Sequence, residues 1–265
     1  REEGHGYKHD LGQNFLYDDA LLEELVQSTG VTKADSVLEI GPGSGMLTKH
    51  LCPHAQKVLA VEVDHDIIPF LKVNTAAFSN LEIVEGDIRK QNLLELCAPL
   101  GENFLVIANI PYNITTPIFE ALWESGLSIR QISVMIQKEV AEKLMAAPST
   151  AAYGLMSVKC QYYCTPRLEC IVPAEKFTPP PKVDSAFVHL EMSRCRSTEV
   201  QNERRLFSLL RAGFNLRRKT LSNALRSVVE PDALRAAMEQ AEISPTARAE
   251  ELSVDDWIRL SNACP

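Results

Sequence analysis

The sequence predicts an α/β fold, in which a mainly parallel sheet is covered by helices on both faces and followed by a small all-helical domain. Three observations carry this. Short, near-continuous apolar runs alternate with amphipathic stretches through residue 137. That alternation marks βαβ units whose strands are buried on both faces. From residue 199 onward only helical periodicities remain. Finally, 265 residues with 45% hydrophobic and 23% charged side chains suffice for one large domain and one small one.

The elements follow in order. DDALLEELVQSTG (18–30) reads as a helix that Asp18 or Asp19 can cap and Gly30 can end. SVLEI (36–40) is a short strand running into GPGSG, and a helix follows through Leu51. KVLAVEV (57–63) is a second strand. DHDIIPFLKVNTAA (64–77) is a helix with acids in its first turn, where they suit the dipole. LEIVEGD (81–87), FLVIAN (104–109) and ISVMIQ (132–137) complete five strands, and TTPIFEAL (115–122) reads as a helix after the fourth. SVKCQYYC (157–164) and VDSAFVHLEM (183–192) also read as strands, an antiparallel pair at one sheet edge with KFTPPPK between them. The last helices are placed in 199–214, 217–229, 232–241 and 254–263. The expected domains are 1–194 and 195–265.

Composition excludes several classes. No apolar run approaches the roughly 20 residues that span a bilayer, and no secretory leader pattern opens the chain. The start at Arg1 reads as trimmed. The seven cysteines, at 52, 97, 160, 164, 170, 195 and 264, include no C-x-x-C pair. Reduced thiols in a cytoplasmic protein are expected. His50 and His54 lie four apart, but no carboxylate nearby in sequence completes a metal site, so no metal is expected. The net charge of −8 argues superficially against nucleic acid. The segment 204–226, however, carries Arg204, Arg205, Arg211, Arg217, Arg218, Lys219 and Arg226 without one acid, so its +7 leaves −15 on the remainder.

EIGPGSG (39–45) joins a predicted strand to a predicted helix, and its glycines allow a tight turn with close ligand approach. Glu62 lies 21 residues past Gly41, at a strand end, where an acid can accept from both ribose hydroxyls. Asp87, followed by Ile88, ends the third strand on the same carboxyl edge and can face an adenine amine. An adenosine-containing cofactor follows. The spacing is G-x-G-x-G rather than the G-x-G-x-x-G of dinucleotide sites, and Glu39 precedes Gly41 by two residues. An acid there, near Gly41 and Gly43, suits the cationic end of S-adenosylmethionine and would repel a pyrophosphate. The fold is thus read as a Rossmann-like S-adenosylmethionine-dependent methyltransferase sheet.

NIPYNI (109–114) ends the fourth strand on that edge. The Asn109 amide oxygen and the Ile110 carbonyl can accept the two protons of an exocyclic amine. Pro111 fixes φ and has no N–H. Tyr112 offers a face on which a base can stack, worth about 1–3 kcal/mol. These groups suit in-line methyl transfer to an exocyclic amine such as adenine N6, driven by positioning and by acceptors aimed at developing positive charge.

LGQNFL (11–16), LEIGPGSGMLT (38–48), VEVD (61–64), EGD (85–87), NIPYNIT (109–115), FTPPPKVDS (177–185) and GFNLRRKTLSNAL (213–225) together resemble the KsgA/RsmA family of small-subunit rRNA adenine N6,N6-dimethyltransferases. The match runs in order over more than four-fifths of the chain. The resemblance implies dimethylation of two adjacent adenosines in the 3′-terminal hairpin loop of 16S rRNA, late in small-subunit biogenesis. It implies a monomer that partners the small ribosomal subunit and no membrane. Asn14 and the Leu16 backbone would contact the methionine part of the cofactor, with Gly41 beneath it. Glu62 would hold the ribose and Asp87 the adenine. Asn109 would contact both cofactor and target amine, and Tyr112 and Phe177 would sandwich the extruded adenine. The helical domain, with its +7 segment, would dock on the subunit.

Two positions depart from the family. Leu155 follows Tyr-Gly where relatives commonly have Arg, and YKHD (7–10) carries less positive charge than is usual. Both bear on the RNA footprint rather than the chemistry. Three rival readings remain: a large-subunit rRNA adenine methyltransferase of the drug-resistance type, an assembly checkpoint acting mainly by binding, and a DNA adenine methyltransferase.

Overall fold

A computed structural model describes residues 13–193 and 199–265. Leu11 and Gly12 of LGQNFL, the YKHD stretch and Cys195 lie outside the described residues. In chain order the elements are β1 (Phe15–Leu16), α1 (Asp19–Ser28), β2 (Ser36–Ile40), α2 (Thr48–Leu51), β3 (Lys57–Glu62), α3 (Ile68–Asn74), β4 (Leu81–Glu85), α4 (Leu93–Cys97), β5 (Phe104–Asn109), α5 (Thr115–Glu124) and β6 (Ile129–Gln137). There follow α6 (Lys138–Met145), α7 (Leu155–Tyr163), β7 (Cys164–Val172), β8 (Phe177–Thr178), β9 (Ser185–Met192), α8 (Glu203–Asn215), α9 (Leu221–Ala224), α10 (Pro231–Gln240) and α11 (Val254–Ala263).

Seven strands form one sheet in the order β4-β3-β2-β5-β6-β9-β7. β2, β3, β4, β5 and β6 pair in parallel, and β9 joins β6 antiparallel with Val134 opposite Val188. The apolar runs form central strands because both faces are covered: Val37, Leu38, Val58, Ala60, Val106 and Ile107 have no accessible surface. A Leu38→Ala change there would cost about 2–5 kcal/mol by opening a cavity. Strand order reverses between β2 and β5, so their carboxyl ends diverge and leave a crevice. α1 starts where expected because the Asp18 carboxylate accepts from the Leu21 N–H at 3.0 Å.

The chain divides into two compact units. One holds the described residues through Ala141 together with Arg167–Met192; the other holds Glu142–Pro166 and the described residues of Ser193–Pro265. A single cut between 194 and 195 therefore leaves out a segment, since Glu142–Pro166 groups with the C-terminal helices.

SVKCQYYC is not an edge strand; it forms most of α7. Ser157, Val158, Lys159, Cys160 and Tyr162 are all buried, so this helix shows no polar face whose periodicity could be read. Val158 and Tyr162 pack in the core of the second unit with Leu206, Leu210 and Leu225. The edge strand is β7, which carries Pro166 and exposes Leu168 and Ile171. A proline is tolerated at an edge because no ladder partner needs its missing N–H. The helix expected over 217–229 shortens to α9, with Thr220 at its cap. Among the described residues, no helix is long and apolar enough to cross a membrane.

Candidate active site

The carboxyl ends of β2, β3, β4 and β5, with β1, wall a cleft of about 1130 Å³ including its open mouth. Its floor is the glycine turn. The Gly41 N–H donates to the Val61 carbonyl at 2.9 Å, which ties the turn to β3. Gly43 sits at φ +58°, and a Cβ there would come within 2.8 Å of the Phe15 ring. Both glycines line the cleft, as does Pro111, whose ring approaches Gly41 closely enough that a Cβ there would lie 3.5 Å from it. The motif after β2 and the motif after β5 thus meet across the crevice.

Three carboxylates face this space. Glu62, 5% exposed, accepts from the Gly43 N–H on Oε2 and from the Asp64 N–H on Oε1, both at 2.8 Å. Burial pushes its pKa up, and the two backbone donors oppose that. Glu39, 1% exposed, accepts from the Thr48 hydroxyl at 2.7 Å. Burial raises its pKa to about 8 despite that bond, and the Glu62 charge adds to the rise. Asp87 is held the other way: hydrogen bonding from Arg89 keeps it below the usual carboxylate range. Ile88, next to it, also lines the cleft.

On the β5 side, the Asn109 Nδ2 donates to the Asn14 carbonyl at 3.2 Å. The Ile110 N–H donates to the Met135 carbonyl at 3.3 Å, which anchors the chain as it leaves the sheet. Ile110 and Tyr112 line the cleft, as do Asn14 and Leu16 opposite them. The Tyr112 hydroxyl shares a hydrogen bond with that of Ser185, which is fully buried. This bond joins NIPYNIT to FTPPPKVDS.

Phe177 is placed differently from the expected sandwich. Its backbone pairs with Leu16 in the β1–β8 ribbon, and its ring, 2% exposed, packs in the core with Val172 and Phe187 instead of lining the cleft. The only aromatic rings on the cleft wall, among the described residues, are those of Phe15 and Tyr112. Phe15, Ser44 and Arg89 are cleft residues that sequence reasoning misses. Phe15 stands inside a motif, and Arg89 two positions past Asp87. Ser44 looks like turn filling in the sequence, yet its Oγ is buried on the cleft wall with no hydrogen-bond partner among the described residues.

The donor set fits S-adenosylmethionine. Buried acids suit a cationic end and a ribose diol, and an unpaired hydroxyl still seeks a ligand group. His50 does meet carboxylates, Asp19 and Glu23 at 2.9 Å each, supplied by α1. Even so, no group of three or more His, Cys, Asp or Glu among the described residues could hold a metal ion.

In the helical unit, Arg204 and Arg211 ride on the exposed side of α8, away from a buried face that includes Leu206, Leu209 and Leu210, and Arg205 lies half-buried at the flank of that face. Arg204, Arg211, Arg218 and Lys219 are exposed. Arg217 is engaged within the unit: its Nε donates to Glu250 at 2.9 Å and its guanidinium to the Ala151 carbonyl at 3.1 Å. Arg217, Arg218 and Lys219 line a second cleft together with Arg248. Arg248 arrives there because it bridges Thr220.

Comparison with known proteins places the chain in a family. The family model for ribosomal RNA adenine dimethylase matches residues 4–264. The chain is 42% identical to the ribosomal RNA small subunit methyltransferase A of Ligilactobacillus salivarius over 265 residues, covering 97% of this chain and 90% of that one. It is 39% identical to its namesake in Lachnoclostridium phytofermentans, covering 97% and 91%. Among solved structures, a dimethyladenosine transferase from Plasmodium falciparum superposes with a TM-score of 0.75 at 27% identity, covering 93% of this chain and 95% of that one.

Proposed function

The chain belongs to the ribosomal RNA adenine dimethylase family, and on that premise we propose that it methylates N6 of two adjacent adenosines in the 3′-terminal hairpin loop of 16S rRNA, giving N6,N6-dimethyladenosine. The observation that carries this reading is the Asn109–Asn14 bond. With Nδ2 engaged by a backbone carbonyl, the amide oxygen is left as the acceptor on the cleft wall.

S-adenosylmethionine supplies a methyl group activated by its sulfonium. Glu62 holds the ribose, Asp87 with Ile88 the adenine, and Glu39 with the Gly41–Gly43 turn the cationic end. Asn14 and Leu16 close the cleft beside it. Asn109 Oδ1 and the Ile110 carbonyl accept the two N6 protons of the target adenine, drawing its lone pair out of conjugation. Transfer of that methyl group to N6 would leave the thioether as the departing product and release one N6 proton to water at the cleft mouth, because Asn109 Oδ1 and the Ile110 carbonyl accept hydrogen bonds but are too weakly basic to take the proton. Tyr112 stacks on the base, offsetting the few kcal/mol that extrusion costs. Placing the target in a loop lowers that cost further. In the second transfer one acceptor has lost its proton partner, so the pocket must admit a methyl group there.

The helical unit supplies the contact with the small subunit through Arg204, Arg205, Arg211, Arg218 and Lys219. The protein acts as a monomer in the cytoplasm. Incubation of the purified chain with unmethylated small subunits and labelled cofactor, followed by mass spectrometry of the RNA, tests this reading. Label in two adjacent 3′-hairpin adenosines is expected. Label confined to large-subunit RNA or duplex DNA would overturn it.

A further inference from the structure

Arg89 binds the Asp87 carboxylate three times. Its backbone N–H and Nε donate to Oδ1 at 2.9 and 3.0 Å, and a terminal guanidinium nitrogen donates to Oδ2 at 2.8 Å. Fork-shaped pairing of this kind combines strength with a fixed plane. The acid lies inside and the base at the rim: their side chains are 12% and 43% exposed. An ionised carboxylate offers about four acceptor positions. Among the described residues, Arg89 takes both on Oδ1 and one on Oδ2, so a single position on Oδ2 remains.

We propose that Arg89 is a positioning and specificity residue for the cofactor's adenine. By engaging the other acceptor positions of Asp87 it leaves one, suited to one proton of the N6 amine, so that a 6-amino purine is selected over a 6-oxo purine. This rests on the reading that Asp87 faces the adenine. Arg89 does not touch the reacting atoms; it acts through the orientation and charge of its neighbour. A lysine would supply charge without the planar fork.

A second consequence concerns pH. Arg89, and more weakly the nearby Lys90, hold Asp87 in its ionised form against the opposing effect of burial. Without Arg89 the burial effect remains and the carboxylate takes up a proton at higher pH. Cofactor affinity should then begin to fall at a higher pH than in the wild type.

The test is calorimetric binding of S-adenosylhomocysteine and its deaminated analogue, S-inosylhomocysteine. Wild type, Arg89→Ala, Arg89→Gln and Arg89→Lys are compared from about pH 3.5 to 7, a range that reaches the ordinary Asp titration, with thermal melting as the check on folding. The wild type is expected to prefer the adenosyl ligand. Arg89→Ala and Arg89→Gln should bind it about tenfold more weakly, with the preference narrowed and the acid limb moved to higher pH. Arg89→Lys should regain the pH behaviour but not the full preference. Unchanged affinity, preference and pH profile in Arg89→Ala would overturn the role of Arg89. A wild type indifferent to the two ligands would instead overturn the placement of adenine at Asp87.

Discussion

The Asn109 carboxamide nitrogen lies 3.2 Å from the Asn14 carbonyl oxygen and donates to it. This contact decides which end of the amide is available to a target amine. Asn109→Ala removes the acceptor, and Asn109→Asp sets a carboxylate oxygen against the Asn14 carbonyl. Both should lower kcat for methyl transfer by about 10²–10³, the scale of losing one preorganised polar group, while the protein still binds S-adenosylmethionine. Single-turnover assays with labelled cofactor measure this, and near wild-type turnover in Asn109→Ala would remove the residue from the chemistry.

Tyr112 and Ser185 come from different motifs and share a hydrogen bond through their hydroxyls. Tyr112→Phe and Ser185→Ala each lose the bond but keep the ring, so each should slow transfer by several-fold. Tyr112→Ala also loses the stacking face and should cost about 1–3 kcal/mol more. The ranking of the three variants in kcat/KM for small subunits is the test, and equal effects would mean the ring does not touch the base.

Burial pushes the Glu39 pKa up to about 8, which favours its protonated form near neutrality when no cation lies beside it. A cationic ligand lowers that pKa again, and binding should release a proton. Calorimetry of S-adenosylmethionine binding in buffers of different ionisation enthalpy should show release of up to roughly one proton near pH 7. Glu39→Gln should show none. Uptake of a proton, or no exchange in the wild type, would place the cation elsewhere.

Glu23 is lowered to about 2 by its hydrogen bonds to His50 and then His54. A carboxylate lowered in the folded state stabilises above its unfolded pKa of about 4.5, and that stability is lost as pH falls toward 2. Glu23→Gln should therefore lower Tm near neutrality, where that stability is fully present, and flatten the fall between those limits, so that the variant and the wild type converge toward pH 2. A wild-type acid limb in the variant would assign acid sensitivity to other groups.

Much of the site is legible in the sequence because its residues sit at strand ends, where an apolar run stops and chemistry begins. SVLEI and FLVIAN form strands with the bounds read from sequence, and the residues that follow each run line one cleft. The illegible part arises from contacts between distant segments. α7 is buried nearly all round, so its residues mimic a strand. Phe177 stands in a motif, but only the pairing of β8 with β1 shows its ring turned into the core. Glu23 meets His50 across 27 residues, and Arg248 joins the basic cleft through its bridge to Thr220. No local pattern carries such information.

The basic cleft yields a prediction that separates docking from folding. Arg218 and Lys219 are exposed, whereas Arg217 is tied to Glu250 and the Ala151 carbonyl. Charge reversal at Arg218 and Lys219, with or without Arg248, should weaken small-subunit binding and leave Tm unchanged. Its salt dependence should flatten by roughly one in log–log slope for each phosphate that is no longer neutralised. Arg217→Glu should lower Tm as well, because it sets two carboxylates together where a charge pair stood. Filter binding over a salt series measures the first effect and thermal melting the second. Unaltered binding and slope in the Arg218/Lys219 reversal would show that these cations face only solvent.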